Sequence, residues 1–325
     1  MLKIWDAGAQ VTIQDLGRNG YRHLGVSASG AADQYSFTLG NLLLGNPLNF
    51  AGIEISQTNL IAEFQKKTVI AVTGALADVY VNNKKKAMWE TIAVNEGDVI
   101  SIKVTDQGVN TYLCNSGGVN SKEMFGSRAT YILNTSGISL GQKIEKDQEI
   151  PLGENLPGVF KQLGKRIPQE YIPTFPSMIE VRAVFGLSSY RISDQGLQSF
   201  LNAEWIVMPD SNRVSYQYKG TNVYFQEYDA PFGAGSNSSN VVDIAYPMGV
   251  IMVPNNQEVI VMLRDGMTGG GFVTIGAVIT PDLDLISQSI PGQQTRFIAV
   301  TVEQAVTARL EKKKRIEEVG QLLRF

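Results

Sequence analysis

The fold class of this chain is restricted above all by short runs of β-forming residues that recur along its 325 residues. In the first half these runs are rich in Val, Ile, Thr and Tyr, and turn signals such as Asn82-Asn83 and Gln107-Gly108 separate them. Short strands at this spacing are typical of an antiparallel barrel or sandwich rather than of alternating strands and helices. The predicted strands of the first half are Thr68–Thr73, Asp78–Val81, Ala87–Ala93, Val99–Val104 and Thr111–Asn115.

The length of the chain suits two domains, because domains mostly run to about 100–200 residues. The region Gly137–Phe175 is rich in Gly and Pro and has little periodicity, so we interpret it as a connection with a boundary near Pro176. The β pattern resumes at Met178. The sequence therefore predicts a mainly β protein with one domain over residues 1–175 and a second over residues 176–325.

Helices are predicted at three places. One begins near Asp33 and ends at Gly45. Thr280 and Pro281 provide an N-cap and a first helical residue for a short helix, Asp282–Ile290. Thr301 and Gln304 form a capping box for a C-terminal helix that extends through Leu323.

The stretch Gln14–Gly45 combines closely spaced glycines with Asp, Arg, His and Ser side chains before it enters the first helix. We call its part before the helix the opening loop. Glycine permits positive φ angles and close backbone approach, so such a loop suits a binding or catalytic site, although a surface loop that caps a barrel has the same composition. His23, the only histidine, belongs to the residue type that exchanges protons near neutral pH. Asp33 suits either catalysis or a helix N-terminus, where a carboxylate is stabilised.

Two further segments carry polar groups among glycines. The TGGG segment, Leu263–Phe272, has three consecutive glycines beside Asp265 and Thr268, and the backbone N–H groups of such a run can form a cradle for an anion or a carbonyl. The GSR segment, Asn115–Tyr131, places Arg128 beside a glycine turn. A guanidinium there suits a substrate carboxylate or a structural one.

Several classes of function are excluded or disfavoured by what the sequence lacks. No P-loop, dinucleotide-binding fingerprint or G-x-S-x-G elbow is present, and one histidine with one cysteine, Cys114, rules out a His- or Cys-rich metal site. The net charge is −3 and no basic face is evident, so nucleic acid is not an expected partner. The N-terminus has no signal peptide and no stretch suits a bilayer span, so we expect a cytoplasmic protein without membrane contact.

The ordered motifs of the chain resemble those of the KipA / allophanate hydrolase subunit 2 family. They are IQDLGRNGYRHLGVSASGAAD, NLLLGN, AGIEIS, VTGA, SGGV, FGSRATY, MTGGGF, PDLDLI and PGQQTRF. The family includes the C subunit of bacterial 5-oxoprolinase and one half of the biotin-dependent carboxyltransferase domain of urea carboxylase. The resemblance implies two cyclophilin-like β-barrel domains with few short helices and a C-terminal helix.

The resemblance implies three alternative functions. The first is a subunit, inactive alone, of an ATP-dependent 5-oxoprolinase that opens 5-oxoproline to glutamate with a KipI/PxpB-like (allophanate hydrolase subunit 1) chain and a PxpA-like chain. The second is carboxyl transfer from carboxybiotin, carried on another protein, to urea. The third is a non-catalytic regulator that binds a KipI-like chain. The first is the principal expectation, with a small-molecule substrate and with ATP used by the complex rather than bound by a P-loop of this chain.

The predicted site combines the opening loop with the GSR and TGGG segments. The second half departs from the family pattern at several positions, among them Asn212, Ser215 and Met267, which puts activity that depends on them in doubt. Arg18 or Arg128 would hold a carboxylate, glycine amides would polarise the lactam carbonyl, and Asp15, Asp33 or His23 would transfer protons. The predicted catalytic residues are Asp15, Arg18, His23 and Asp33, and the predicted substrate-binding residues are Tyr21, Ser29, Gly30, Arg128, Asp265, Thr268, Gly269 and Gly270; no metal ligand is predicted.

Overall fold

The computed structural model describes residues 1–133, 141, 143–229, 232–233 and 235–323, so part of the predicted connection lies outside the described residues. The chain divides into two compact units. The first contains Met1–Asn19, Ser29–Phe175 and Lys313–Phe325, and the second contains Gly20–Ala28 and Pro176–Lys312. The second unit thus includes a piece of the predicted domain 1–175, and the first unit includes the end of the predicted domain 176–325.

The first unit contains two antiparallel sheets, one with strand order β11-β1-β4-β9-β6-β7 and one with order β2-β3-β10-β5-β8. Its strands are β1 (Leu2–Ala7), β2 (Val11–Gln14), β3 (Gly52–Ser56), β4 (Asn59–Phe64), β5 (Thr68–Gly74), β6 (Ala77–Val81), β7 (Lys84–Lys86), β8 (Thr91–Val94), β9 (Val99–Val104), β10 (Asn110–Asn115) and β11 (Glu149–Ile150).

The burial of these strands follows their sequence patterns. β4, β6 and β9 alternate buried and more exposed residues, as strands with one face on a core do. β3, β5 and β10 are buried along their whole length. The predicted strand Ala87–Ala93 is wrong in its first half, because Trp89 has a φ of +62° and the strand begins only at Thr91.

The second unit contains a closed barrel with strand order β12-β19-β16-β17-β14-β13-β20 and a two-stranded sheet of β15 and β18. One barrel pair, β12 with β20, is parallel, which differs from the purely antiparallel expectation. The barrel encloses an apolar core that includes Phe200, Trp205 and Phe297. The strands are β12 (Met178–Phe185), β13 (Trp205–Val207), β14 (Ser215–Lys219), β15 (Asn240–Ala245), β16 (Val250–Asn255), β17 (Glu258–Met262), β18 (Gly269–Phe272), β19 (Thr274–Val278) and β20 (Gln294–Ala299).

The described residues form four α-helices, α1 (Gln34–Leu43), α2 (Asp194–Asn202), α3 (Leu283–Ser287) and α4 (Val302–Leu322). The capping box of α4 forms as predicted, since the backbone N–H of Thr301 donates to Gln304 and that of Gln304 to Thr301. α3 is shorter than the predicted helix Asp282–Ile290, and the sequence interpretation missed α2. No helix in the described part of the chain is long and apolar enough to cross a membrane.

The end of α4 explains why residues 313–325 belong to the first unit. Val319 and Leu323 are buried in one apolar cluster with Phe37, Leu39 and Leu43 of α1. Each such side chain contributes roughly 1.5–3 kcal/mol when it is removed from water. The mainly β architecture with few short helices and a C-terminal helix, as predicted, is confirmed.

Cys114 on β10 is expected to resist thiol reagents as long as the protein is folded. Burial raises the pKa of its thiol to about 12, and the thiolate is the reactive form. Folding therefore favours the neutral thiol, and this stabilisation is complete below the unfolded pKa of about 8.5 and is lost as pH rises through the folded pKa. We expect no reaction with Ellman's reagent at pH 8 and reaction of one thiol per chain in guanidinium; rapid reaction of the folded protein would contradict this.

Candidate functional site

The carboxylate of Asp15 organises the polar cluster of the first unit. It accepts hydrogen bonds from the backbone N–H of Gly17 at 2.7 Å, the hydroxyl of Ser127 at 2.7 Å and the backbone N–H of Arg128 at 2.6 Å. Asp15 is buried, and hydrogen bonds to an ionised acceptor are stronger than neutral ones. The opening loop and the turn of the GSR segment are therefore held together by one carboxylate.

Ser29 and Gly30 adopt a backbone conformation that L-amino acids rarely occupy. Their φ angles are +52° and +89°, and the N–H of Gly30 donates to the side chain of Gln14 at 3.1 Å. The Ser29 hydroxyl is buried and has no hydrogen-bond partner among the described residues. Such strain is characteristic of functional positions, where the surrounding structure imposes it.

Replacing Gly30 by alanine is expected to destabilise the protein more than the same change at Gly20. A Cβ at Gly30 would lie 2.6 Å from the backbone nitrogen of Gly17, whereas a Cβ at Gly20 meets nothing within 4 Å. The φ of Gly20 is +95°, so both variants carry a similar backbone strain of about 1–2 kcal/mol, and only Gly30→Ala adds a clash worth roughly 1–3 kcal/mol. Urea unfolding of the two variants measures the difference, and equal losses would show that the clash is relieved.

Asp33 is the N-cap of α1. Its carboxylate accepts from the backbone N–H of Ser36 at 2.9 Å and from the Ser36 hydroxyl at 2.5 Å, and its own N–H donates to the Tyr112 hydroxyl at 2.8 Å. The adjacent Ala32 N–H donates to Glu54 at 2.8 Å. The structure thus gives Asp33 the capping role that the sequence left open beside catalysis.

The two arginines predicted to hold a substrate carboxylate differ in environment. Arg18 is buried and its guanidinium donates to the carbonyl of Ala129. Arg128 is more exposed; it donates to the carbonyl of Ser121, and its Nη2 lies 3.9 Å from the carboxylate of Glu123.

In the second unit, two side chains hold residues 20–28 in place through hydrogen bonds to backbone carbonyls. Nη2 of Arg22 donates to the carbonyl oxygens of Tyr246 at 2.6 Å and Met267 at 3.2 Å, and the Ser27 hydroxyl donates to the carbonyl of Gly266 at 2.8 Å. Burial lowers the pKa of Arg22. Tyr21 is half-buried on the same segment and His23 is exposed on it. These bonds explain why this part of the opening loop belongs to the second unit.

Asp265 forms a buried ion pair with Arg213. The Arg213 Nε lies 3.1 Å and its Nη2 3.4 Å from the carboxylate oxygens, and both side chains are buried. The Asp265 carboxylate, which the sequence predicted to contact substrate, is therefore paired with Arg213 of the same unit.

The glycines of the TGGG segment lie in a strand rather than in a turn. Gly269 and Gly270 belong to β18 and pair with β15, and the carbonyl of Thr268 accepts from the N–H of Tyr246 at 2.9 Å. A Cβ at Gly270 would lie 2.6 Å from the ring of Tyr246, so no larger residue fits beside this ring. The Tyr246 hydroxyl in turn accepts from the N–H of Phe272 at 2.6 Å.

The structure sorts the predicted site residues into two sets. Asp15, Arg18, Ser29, Gly30, Asp33 and Arg128 lie in the first unit, and Tyr21, His23, Asp265, Thr268, Gly269 and Gly270 lie in the second. Within the first set, Asp15 and Arg128 are in direct contact, and Asp33 caps α1. The roles assigned to these residues stay predictions.

The sequence interpretation missed four residues that shape these clusters. Gln14 and Glu54 are fully buried polar side chains within strands, and a polar residue inside an apolar run was the signal that could have found them. Arg22 and Tyr246 carried no such local signal. Among the described residues, no group of three His, Cys, Asp or Glu side chains is placed to hold a metal ion.

Comparison with known sequences places the chain beside two kinds of protein. Residues 24–299 match the sequence profile of a family described as carboxyltransferase domain, subdomain A and B. The chain is 26% identical over 322 residues to the C subunit of the 5-oxoprolinase of Escherichia coli, and the match covers 98% of each chain. It is 29% identical over 314 residues to the urea amidolyase of Lachancea kluyveri, with 93% of this chain but 17% of the amidolyase covered.

Solved structures give the same result. The urea amidolyase of K. lactis superimposes on 98% of this chain with a TM-score of 0.90 and 27% identity, although the chain spans 20% of that protein. The urea carboxylase of Kluyveromyces lactis gives the same TM-score and identity, and the chain spans 29% of it.

Proposed function

Since the chain belongs to the family described as carboxyltransferase domain, subdomain A and B, we propose that it is the C-type subunit of a 5-oxoprolinase. The assembled enzyme would add water across the lactam C–N bond of 5-oxoproline, release glutamate and couple this step to ATP hydrolysis. The chain is inactive alone in this proposal and acts in the cytoplasm with a KipI/PxpB-like and a PxpA-like subunit.

The extent of the match to relatives carries the proposal. The C subunit of the Escherichia coli 5-oxoprolinase matches this chain almost end to end, whereas the urea amidolyase of Lachancea kluyveri contains the matching part as 17% of its length. The match therefore accounts for nearly the whole of the 5-oxoprolinase subunit but for only a small part of the amidolyase. The same correspondence holds for the C subunit of the Haemophilus influenzae 5-oxoprolinase, of which the chain spans 99%.

The chemistry of lactam opening supports particular roles for the polar residues. The reaction needs a polarised carbonyl, a positioned water molecule and a proton for the leaving nitrogen. His23, exposed on the opening loop, is assigned to proton transfer. Nucleotide binding is assigned to another subunit, since the sequence has no P-loop.

The test is co-expression of this chain with the KipI/PxpB-like and PxpA-like chains of the same genome, followed by an assay for glutamate. We expect glutamate from 5-oxoproline only with ATP and only when this chain is included. His23→Ala should leave assembly intact by size-exclusion chromatography and lower turnover. A stable complex that makes no glutamate would reject the proposal and leave carboxyl transfer or a non-catalytic KipI-binding regulator.

Carboxyl transfer is the second candidate, and the TM-score of 0.90 to the urea carboxylase of Kluyveromyces lactis favours it. In that case biotin would arrive on another protein, and this chain would present carboxybiotin to urea. Urea-dependent consumption of carboxybiotin by the assembled chains, without glutamate from 5-oxoproline, would select this candidate.

A further inference from the structure

Arg22 differs from Arg128 and Arg213 in the partners that it finds. Its described partners are the neutral carbonyl oxygens of Tyr246 and Met267, and its Nη1 is buried without a hydrogen-bond partner among the described residues. By contrast, Arg213 is paired with Asp265, and Arg128 lies 3.9 Å from Glu123.

The position of this guanidinium connects it to the TGGG segment. Met267, one of the two acceptors, directly precedes Thr268. Tyr246, the other acceptor, also donates its backbone N–H to the carbonyl of Thr268. Arg22 is therefore fixed at the beginning of β18 by two acceptors on the backbone. Neutral carbonyls satisfy N–H groups but leave the positive charge uncompensated, and a partly buried charge without a counterion is unfavourable.

We propose that Arg22 binds the carboxylate of the substrate, and that the site therefore takes an acid that carries a lactam or amide rather than a neutral amide. A carboxylate beside this guanidinium would supply the missing counter-charge. This inference rests on the proposed function, in which the substrate is 5-oxoproline. It also separates the two candidate functions, because urea has no carboxylate to place on Arg22.

Binding of two lactams tests the proposal directly. 5-Oxoproline and 2-pyrrolidinone share the lactam ring and differ by the carboxylate. Isothermal titration is performed on the assembled complex, or on the full chain where no complex forms. Arg22→Gln is expected to weaken 5-oxoproline binding about 10- to 100-fold, the value of one hydrogen bond to a charged group, and to leave 2-pyrrolidinone binding unchanged. Arg22→Lys should recover part of the affinity.

Ser27→Ala is the matched control, because Ser27 fastens the same segment through Gly266 without contributing charge. It should change 5-oxoproline affinity by less than about threefold. Three results would overturn the inference. Ser27→Ala and Arg22→Gln could weaken 5-oxoproline binding equally, or Arg22→Gln could weaken the binding of both lactams equally. The third result is that the wild-type protein does not bind 5-oxoproline. The titration measures binding and does not require turnover. A complex that binds 5-oxoproline tightly through Arg22 but forms no glutamate would therefore reject the proposed function and leave this inference standing.

Discussion

Replacing Arg213 by methionine is expected to lower the free energy of unfolding by about 3–5 kcal/mol. The Arg213 side chain is 4% exposed and that of its partner Asp265 is 0% exposed, and they meet at 3.1 Å. Removing the guanidinium leaves a carboxylate in the protein interior without its counter-charge, and this uncompensated charge is the source of the loss. Urea denaturation followed by circular dichroism measures it.

Two comparisons isolate the buried charge as the cause. In the double variant Arg213→Met/Asp265→Leu both charges are gone, and most of the stability should return, because apolar side chains replace a buried ion pair at little cost. Arg296 and Glu204 form an exposed pair at 3.3 Å, so Arg296→Met should cost less than about 1 kcal/mol. A loss below about 1 kcal/mol for Arg213→Met would show that water reaches Asp265, and this carboxylate would then be accessible to a substrate as well.

Several strands could be predicted from runs rich in Val, Ile, Thr and Tyr. The prediction Val99–Val104 coincides with β9, and Thr111–Asn115 differs from β10 by one residue. Trp89 shows the limit, because a left-handed residue inside an apolar run has no signature in composition. The family resemblance read from the ordered motifs is confirmed by the match over residues 24–299.

The glycine-rich polar loops could be located from sequence, whereas the partners of individual side chains could not. Arg213 and Asp265 are separated by 52 positions, and their pairing depends on the register of the second unit rather than on either local sequence. The sequence predicts that Gly269 and Gly270 belong to a cradle for an anion or a carbonyl. In the structure, position 270 requires glycine because the ring of Tyr246 packs where a side chain would be. Local patterns identify residue types that suit a site, and tertiary contacts decide which of them are engaged in structure.

Asp15→Ala is expected to lower the free energy of unfolding by about 3–5 kcal/mol. Three donors lose an ionised acceptor at once, namely the N–H groups of Gly17 and Arg128 and the hydroxyl of Ser127. A hydrogen bond to a charged group contributes about 1.5–3 kcal/mol, and the total is smaller than the sum because the three bonds share one acceptor. Asp15→Asn keeps one oxygen and should lose about half as much.

Asp106→Ala serves as the control, because Asp106 is exposed and the stability of this variant should stay within about 0.5 kcal/mol of wild type.

The functional consequence of the Asp15 substitution follows from the geometry. Ser127 and Arg128 lie 112 and 113 residues from Asp15 in sequence, and this carboxylate bonds them both to the opening loop. In the proposed 5-oxoprolinase, loss of turnover by Asp15→Asn, at a temperature where that variant remains folded, would fit a displaced GSR turn or the predicted proton transfer by Asp15. Full turnover would show that the reaction needs neither.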